Sequence, residues 1–482
     1  MFKSDFIIGF KSIKNKRLKV NFNLRYLQLK LKIKMSTKAS TPKGMRDFSP
    51  SVMFRRNYMF SVVKSAFEKY GFSPIETPAM ENLESLTGKY GDEGERLIYK
   101  VLNSGDFLSK ANIDENSTAK SITKQISDKA LRYDLTVPFA RYVVQNRNDI
   151  TFPFKRYQIQ NVWRADRPQK GRYREFYQCD ADVIGTDSLL SEIELVQIYD
   201  EVFDTLKIPN IEICVNNRKV LSGMVEVMNS EELFNDIVII LDKLDKIGIE
   251  KVKEEMKLKG VSEEALSILE QFLSITEISE LKNLLSKSEI GMKGVEELQF
   301  VFANIEKLGL KTSVLKFDIT LARGIDYYTG CILEVVQKDV KIGSIGGGGR
   351  YDNLTSVFGL DNVSGVGVSF GLDRIYIVME ELNIFPENID QNTRVMFANF
   401  GETESVYCLD LLKQLRENKI SSELYPTTSK MKKQMSYADK KGIEFVIMIG
   451  ENEMESNTIT IKNMKLGTQE ESTITEFISK IK

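Results

Sequence analysis

Histidine is missing from all 482 residues. Its absence removes the commonest general base and the commonest metal ligand. Any catalysis must therefore draw on arginine, lysine, carboxylates, tyrosine or a bound metal. Cysteine is scarce: Cys179, Cys214, Cys331 and Cys408 are scattered, and none forms a CxxC pair. Neither a zinc site nor a disulfide framework is indicated, and a reducing compartment, the cytoplasm, fits best. No apolar run approaches the roughly 18 residues of a membrane span.

What is present is an ordinary globular composition, 42% hydrophobic and 28% charged, long enough for about two to four domains. The charge is uneven. Residues 1–34 carry ten Lys/Arg and one acid, Asp5, ahead of a second methionine, Met35. The segment reads most simply as upstream sequence before a start at Met35. A basic tail and a targeting peptide are the alternatives, although Lys, Asn and Leu prevail where transit peptides favour Arg and Ser. The remaining residues hold 57 Lys/Arg against 67 Asp/Glu, a net charge of −10. Contact with nucleic acid must then come from local patches.

Apolar spacing predicts a helix from Met53 to Tyr70, stopped by Gly71, and a short strand in FSPIETP ending at Pro78. Ser104–Asp128 is polar and reads as a long exposed loop. LRYDLTVPFARYVVQN reads as strand, turn and helix. FPFKRYQIQNVWRA and REFYQCDADVIG read as two strands of one hairpin around a cationic turn. Ser188–Leu206 has amphipathic helical spacing. Asn217–Lys311 is rich in Glu, Lys, Leu and Ile, contains no proline, and reads as an inserted helical module. Strands return in VLKFDITLARGIDYYTGCILEVV, and SGVGVSFGLDRIYIVMEEL reads as strand, turn and helix. Beyond Pro386, alternating strands and helices predict a compact α/β unit.

The hairpin turn gathers Arg164, Arg167, Lys170, Arg172 and Arg174, with Arg156 nearby. Guanidinium forks match phosphate oxygens; a solvated charged turn is the plain alternative. Strand alternation should place Phe176, Gln178, Asp180 and Asp182 on one face. A ring, an amide and acids there could stack a base and bind an amine; an amphipathic edge strand is the alternative. Arg323 stands alone in the apolar LARGIDYYTG, beside Tyr327 and Tyr328. A buried arginine must pair, with Asp326 here, or hold an anionic ligand. SIGGGGRYDNL could cradle phosphate with backbone N–H groups, yet it lacks the Lys-Ser/Thr of a P-loop. Its glycines could instead permit close backbone approach beneath a ligand. GLDRI puts Arg374 at a helix start, facing a cleft or solvent. Arginines, acids and tyrosines without histidine suit a reaction in which the protein positions groups and neutralises charge. Nucleotidyl transfer to a carboxylate is one such reaction.

Taken together, these segments resemble the class II aminoacyl-tRNA synthetases, and among them the histidyl-tRNA synthetase family, over residues 41–482. PKGMRDFSP is similar to the family's N-terminal stretch, and YGFSPIETP to motif 1, which builds the dimer interface around a proline, here Pro78. Phe154–Gly185 resembles motif 2 and GVGVSFGLDRI motif 3. LARGIDYYTG and SIGGGGRYDNL resemble the two histidine-specific motifs. The resemblance implies an α+β fold: an antiparallel catalytic sheet flanked by helices, a helical insertion and a C-terminal α/β anticodon-binding domain. The implied boundaries are 1–34 for the extension, 35–216 and 313–386 for the two catalytic parts, 217–312 for the insertion and 393–482 for the anticodon-binding domain.

The implied activity is ATP-dependent ligation of L-histidine to histidine tRNA through histidyl-adenylate, releasing AMP and pyrophosphate. ATP and Mg²⁺ are expected at the site, and a homodimer is expected. The alternative is a non-catalytic regulatory paralogue that senses histidine or tRNA. By resemblance, Arg164 binds the α-phosphate and the substrate carboxylate, and Arg323 is a fixed cation at the transition state. Phe176 stacks on adenine, and Arg374 meets the γ-phosphate end of ATP. Asp134, Leu135, Thr136 and Gln178 hold the α-amino end. Asp182 and Tyr328 bracket the imidazole, with Tyr327 lining the pocket. Arg167 and Gln169 meet the extra 5′ guanylate of histidine tRNA. Two departures from the bacterial pattern stand out: Tyr177, where histidine is frequent, and Asp166 in place of glutamate.

Overall fold

Ser49 accepts a hydrogen bond from the Val52 amide and Pro50 occupies the first turn, so helix α1 spans Pro50–Lys69 and starts ahead of the expected Met53. Proline costs nothing there, because its missing N–H would have been unpaired anyway. The helix gives way to Tyr70 and then Gly71, whose φ of 82° is left-handed. One stripe of α1, Met59, Val63, Ala66 and Phe67, is buried. The computed structural model describes residues 39–87, 91–109, 111–322, 328–387, 389 and 393–482. Residues 1–34, Arg323 and Tyr327 lie outside the described residues.

Eight strands form the main sheet: β1 (Ser73–Pro74), β2 (Phe154–Trp163), β3 (Glu175–Ile184), β4 (Ile211–Asn217), β5 (Ser313–Phe317), β6 (Cys331–Gln337), β7 (Gly346–Tyr351) and β8 (Gly365–Gly371). Their order is β1-β2-β3-β8-β7-β6-β4-β5. The inner pairings are antiparallel, while β1 on β2 and β4 on β5 at the two edges are parallel. The β2–β3 hairpin pairs Phe154 with Ile184 and Trp163 with Glu175. Helix α2 (Thr136–Gln145) precedes this hairpin and α3 (Leu190–Thr205) follows it. Residues of β3 alternate as expected: Cys179, Ala181 and Val183 enter the core.

Between β4 and β5 the chain is helical, from α4 (Arg218–Val227) to α5 (Glu289–Leu308). Its apolar residues do not form a core of their own. Leu221, Leu298 and Val301 share one cluster with Val335 and Phe370 of the sheet. Helix α4 approaches α5 closely at Gly223, where an added Cβ would stand 2.5 Å from the Gly291 Cα. After β8, helix α6 covers Leu372–Glu381.

The expected loop Ser104–Asp128 is partly helical, at Ala119–Ile126. The Thr118 hydroxyl accepts from the Ser121 amide, and the Ser121 hydroxyl accepts from the Thr118 amide. This reciprocal cap satisfies the first turn locally, so a helix forms although none of its residues is buried.

The C-terminal stretch forms a second sheet from β9 (Val395–Phe397), β10 (Ser422–Leu424), β11 (Phe445–Met448), β12 (Ile459–Asn463) and β13 (Gln469–Ser472), in the order β10-β9-β11-β12-β13. Alternation in β9 sends Phe397 to a core with Leu412 and Phe477, and Met396 to one with Ala438 and Val446. Among the described residues no helix is long and apolar enough to cross a membrane.

Candidate active site

One face of β3 supplies the walls of two adjoining cavities. Phe176 and Gln178 line the first, of about 260 Å³. Gln178, Asp180 and Asp182 line the second, of about 120 Å³. Arg164, Gln178, Gly347 and Ser369 belong to both. Below this shared floor the Tyr199 hydroxyl lies 3.0 Å from the Gly347 carbonyl and 3.1 Å from that of Ser369, donating toward them from α3. The glycine strand β7 therefore serves close packing: a Cβ on Gly348 would meet the Gly367 carbonyl at 2.1 Å. Gly347, by contrast, opens both cavities to a ligand.

The two cavities differ in charge. The first is cationic by a small margin, with Arg164, Arg172 and Arg374 around Phe176 against Asp166 and Asp373 in the same wall. Arg374 is held by its Nε to the Gly171 carbonyl at 3.0 Å and by its Nη1 to that of Ser344 at 2.6 Å. The Arg164 guanidinium donates through Nε to the Tyr133 carbonyl at 3.0 Å and stands 5.3 Å from the Phe176 ring centre. The second cavity is acidic, with Asp134, Asp180 and Asp182. Asp134 also accepts from the Val137 amide at 3.2 Å, at the start of α2. Asp182 is ion-paired with Arg156 at 2.7 Å and accepts from the Tyr351 hydroxyl at 2.7 Å. Burial raises the Asp182 carboxyl, against Arg156 and Tyr351. Burial pushes Asp180 up to about 7; Arg156 opposes this and Asp182 adds to it.

Most expected residues converge here. Arg164, Phe176, Gln178 and Arg374 line the first cavity, and Asp134, Thr136, Arg164, Gln178, Asp182 and Tyr328 line the second. The Leu135 side chain is fully buried and lines neither, leaving only its backbone near the site. Arg167 and Gln169 are exposed on the turn and face neither cavity. The hairpin's cations do not act as one cluster: Lys170 pairs with Glu381 at 2.5 Å and Arg156 is buried at the opposite end.

Two features escape the sequence reading of the site residues. Asp180 faces the second cavity as the alternation implies, but nothing local marks it above Asp182. Asp373, adjacent to Arg374, is gripped by Arg46 at 2.5 Å and Arg56 at 2.7 Å. Arg46 also lies 3.3 Å from the Tyr173 ring centre on the hairpin turn. The two pairs with Asp373 join segments over three hundred residues apart, a distance no local signal spans.

A family model described as histidyl-tRNA synthetase matches residues 44–375, and one described as anticodon binding domain matches residues 394–482. The chain belongs to the histidyl-tRNA synthetase family. The histidine–tRNA ligase of Christiangramia forsetii is 56% identical over 443 residues, covering 90% of this chain and 97% of its own. That of Flavobacterium johnsoniae is 52% identical over 461 residues, with the same shares. The histidyl-tRNA synthetase structure from Nostoc sp. aligns with a TM-score of 0.77 at 31% identity, over 92% of this chain and 99% of that one. A structure from Bacillus halodurans, described as an ATP phosphoribosyltransferase regulatory subunit/histidyl-tRNA synthetase, reaches a TM-score of 0.66 at 20% identity over 83% and 96%. It shares the fold alone, so fold does not separate ligase from regulator; the identity of over half to curated ligases does.

Proposed function

We propose that the two cavities carry the family's reaction, with ATP in the cationic one and L-histidine in the acidic one. The observation that supports this division is their opposite charge around a shared Arg164. Phosphates are drawn to arginines and an ammonium group to carboxylates. Where the cavities meet, the histidine carboxylate attacks the α-phosphorus in line, and the bond to pyrophosphate breaks. Arg164 neutralises charge growing on the phosphate oxygens. A terminal ribose hydroxyl of histidine tRNA then attacks the adenylate carbonyl, and AMP leaves.

Phe176 offers a face to adenine, and Arg374 shares its cavity. Asp134, the Leu135 backbone, Thr136 and Gln178 take the α-amino end. Arg323 and Tyr327 keep their family roles as transition-state cation and pocket wall. Mg²⁺ would enter as the ATP complex, with the phosphate oxygens as its main ligands. Arg167 and Gln169, exposed on the turn, fit a contact with the acceptor end of the tRNA, and residues 393–482 fit the anticodon contact. The edge strand β1 and the exposed Pro78 and Met80 fit a homodimer interface.

Arg46 and Asp373 act by holding the hairpin turn and Arg374 together. Arg46→Ala is expected to raise the KM for ATP about tenfold, a loss of about 1.4 kcal/mol for a half-exposed cation over a ring. Steady-state exchange at varied ATP checks this, and an unchanged KM refutes it.

The deciding experiment is amino-acid-dependent ATP–pyrophosphate exchange, with each of the twenty amino acids tested separately. Exchange with histidine alone is expected. No exchange from folded protein would favour the regulatory paralogue.

A further inference from the structure

We propose that Asn216 is a positioning residue for adenylate formation, acting through the segment LARGIDYYTG. The proposal rests on Arg323 being the transition-state cation of the reaction above.

LARGIDYYTG begins at Leu321 and ends at Gly330. Both ends are anchored on the same short stretch of chain. The Asn216 side-chain amide donates to the Leu321 carbonyl at 3.0 Å and to the Ile319 carbonyl at 3.1 Å. The Arg218 backbone amide donates to the Gly330 carbonyl at 2.8 Å. Strand β4 ends and helix α4 begins within residues 216–218. The segment is therefore fastened where the chain leaves the sheet for the helical insertion.

The two ends are not held alike. At the far end, the Thr329 amide donates to the Arg350 carbonyl at 2.8 Å and its hydroxyl to the Asp352 carboxylate at 2.6 Å. The Tyr328 ring packs on β7, since a Cβ on Gly349 would meet it at 3.0 Å. At the near end, Asp318 closes a turn: its side chain accepts from the Thr320 amide and hydroxyl, and its carbonyl from the Leu321 amide. The Asp318 amide reaches the Val215 carbonyl at 3.0 Å, and the Asn216 amide docks the rest of that turn on the sheet. Arg323 follows two residues after Leu321, within about 7 Å of chain.

Asn216 is 0% exposed, and its Oδ1 has no hydrogen-bond partner among the described residues. A buried amide with an unmet acceptor is a costly way to fill space beside a sheet. Both of its donors go to the turn that leads into Arg323. A local cost of this kind is expected of a group that serves a site rather than the core. The adjacent Asn217 is equally buried and serves the fold instead. It caps α4 by accepting from the Lys219 amide at 2.9 Å, and it donates to Glu297 of α5 at 2.8 Å.

The test uses the full-length protein and single-turnover formation of histidyl-adenylate. Asn216→Leu keeps the approximate volume and removes both donors. It is expected to slow the step about 10²-fold, the scale of a misplacement of about 1 Å, while the KM for ATP moves less than about threefold. Asn217→Ala should lower the melting temperature by about 2–4 °C through the lost helix cap, yet leave the step within about threefold of wild type. Arg323→Ala should itself slow the step by about 10²–10³. Adding Asn216→Leu to Arg323→Ala should then cost less than about threefold more, because the group being positioned is already gone. If Asn216→Leu does not fold, Asn216→Ala takes its place with the same expectations. An unchanged rate in the Asn216 variant, losses that multiply in the double variant, or an equal loss in Asn217→Ala overturns the proposal. Wild-type rates in Arg323→Ala would instead sink the role of Arg323 on which it rests.

Discussion

Arg164→Ala is expected to slow histidine-dependent ATP–pyrophosphate exchange by about 10²–10³, the usual cost of removing one preorganised donor from a developing anion. Among the arginines of the described residues, it alone lines both the cationic and the acidic cavity, and so meets both substrates in the proposed arrangement. Its structural ties among the described residues are light: one side-chain bond to the Tyr133 carbonyl and contacts with the rings of Tyr133 and Phe176. Removing it should therefore leave the melting temperature within about 2–3 °C of wild type. Arg164→Lys keeps the charge but loses the planar fork, and should fall between the two. Single-turnover formation of the adenylate separates this loss from substrate binding. A loss under about fivefold would remove Arg164 from the transition state.

The second large effect concerns stability. Arg350→Ala should destabilise the fold by about 3–5 kcal/mol, the cost of stranding a buried charge. Arg350 makes two bonds to Glu192, at 2.6 and 2.7 Å, and others to the Thr186 carbonyl at 3.0 Å, the Ser364 hydroxyl at 2.7 Å and the Ser188 carbonyl at 3.1 Å. Its side chain is 4% exposed and that of Glu192 is 0% exposed. Truncation leaves the Glu192 carboxylate without its counter-ion. Urea unfolding measures the loss. Replacing both partners by methionine should recover most of it, since no charge is then stranded. If Arg350→Ala loses under about 1 kcal/mol, the pair is not a structural pin. The arginine within SIGGGGRYDNL thus pins the glycine strand from behind rather than meeting a phosphate.

The face of β3 was legible because a strand repeats every two residues, so Phe176, Gln178, Asp180 and Asp182 had to point together. Which carboxylate stays open was not legible. That depends on the hairpin register, which sets Arg156 opposite Asp182. Read locally, Arg156 joins the cations of the turn; in the fold it is buried at the far end of the hairpin. The helix at Ala119–Ile126 was missed because its cap is a two-hydroxyl local arrangement, while composition there signals a loop. The grip of Arg46 and Arg56 on Asp373 depends on tertiary packing alone. The helices of residues 218–308 were plain in their periodicity, but not their union with the catalytic core, which close approach at Gly223 permits.

Strand β3 is paired along both sides, by β2 and by β8, so its pitch cannot stretch to suit a ligand. In the proposed arrangement the strand is a fixed ruler for the two substrates, with a mark about every 7 Å from the Phe176 ring in the cationic cavity to the acids in the other. Such a ruler is read by exchanging a mark, never by lengthening the scale. A single residue inserted into β3 would turn every mark beyond it into the core, and both substrates would lose their measure together.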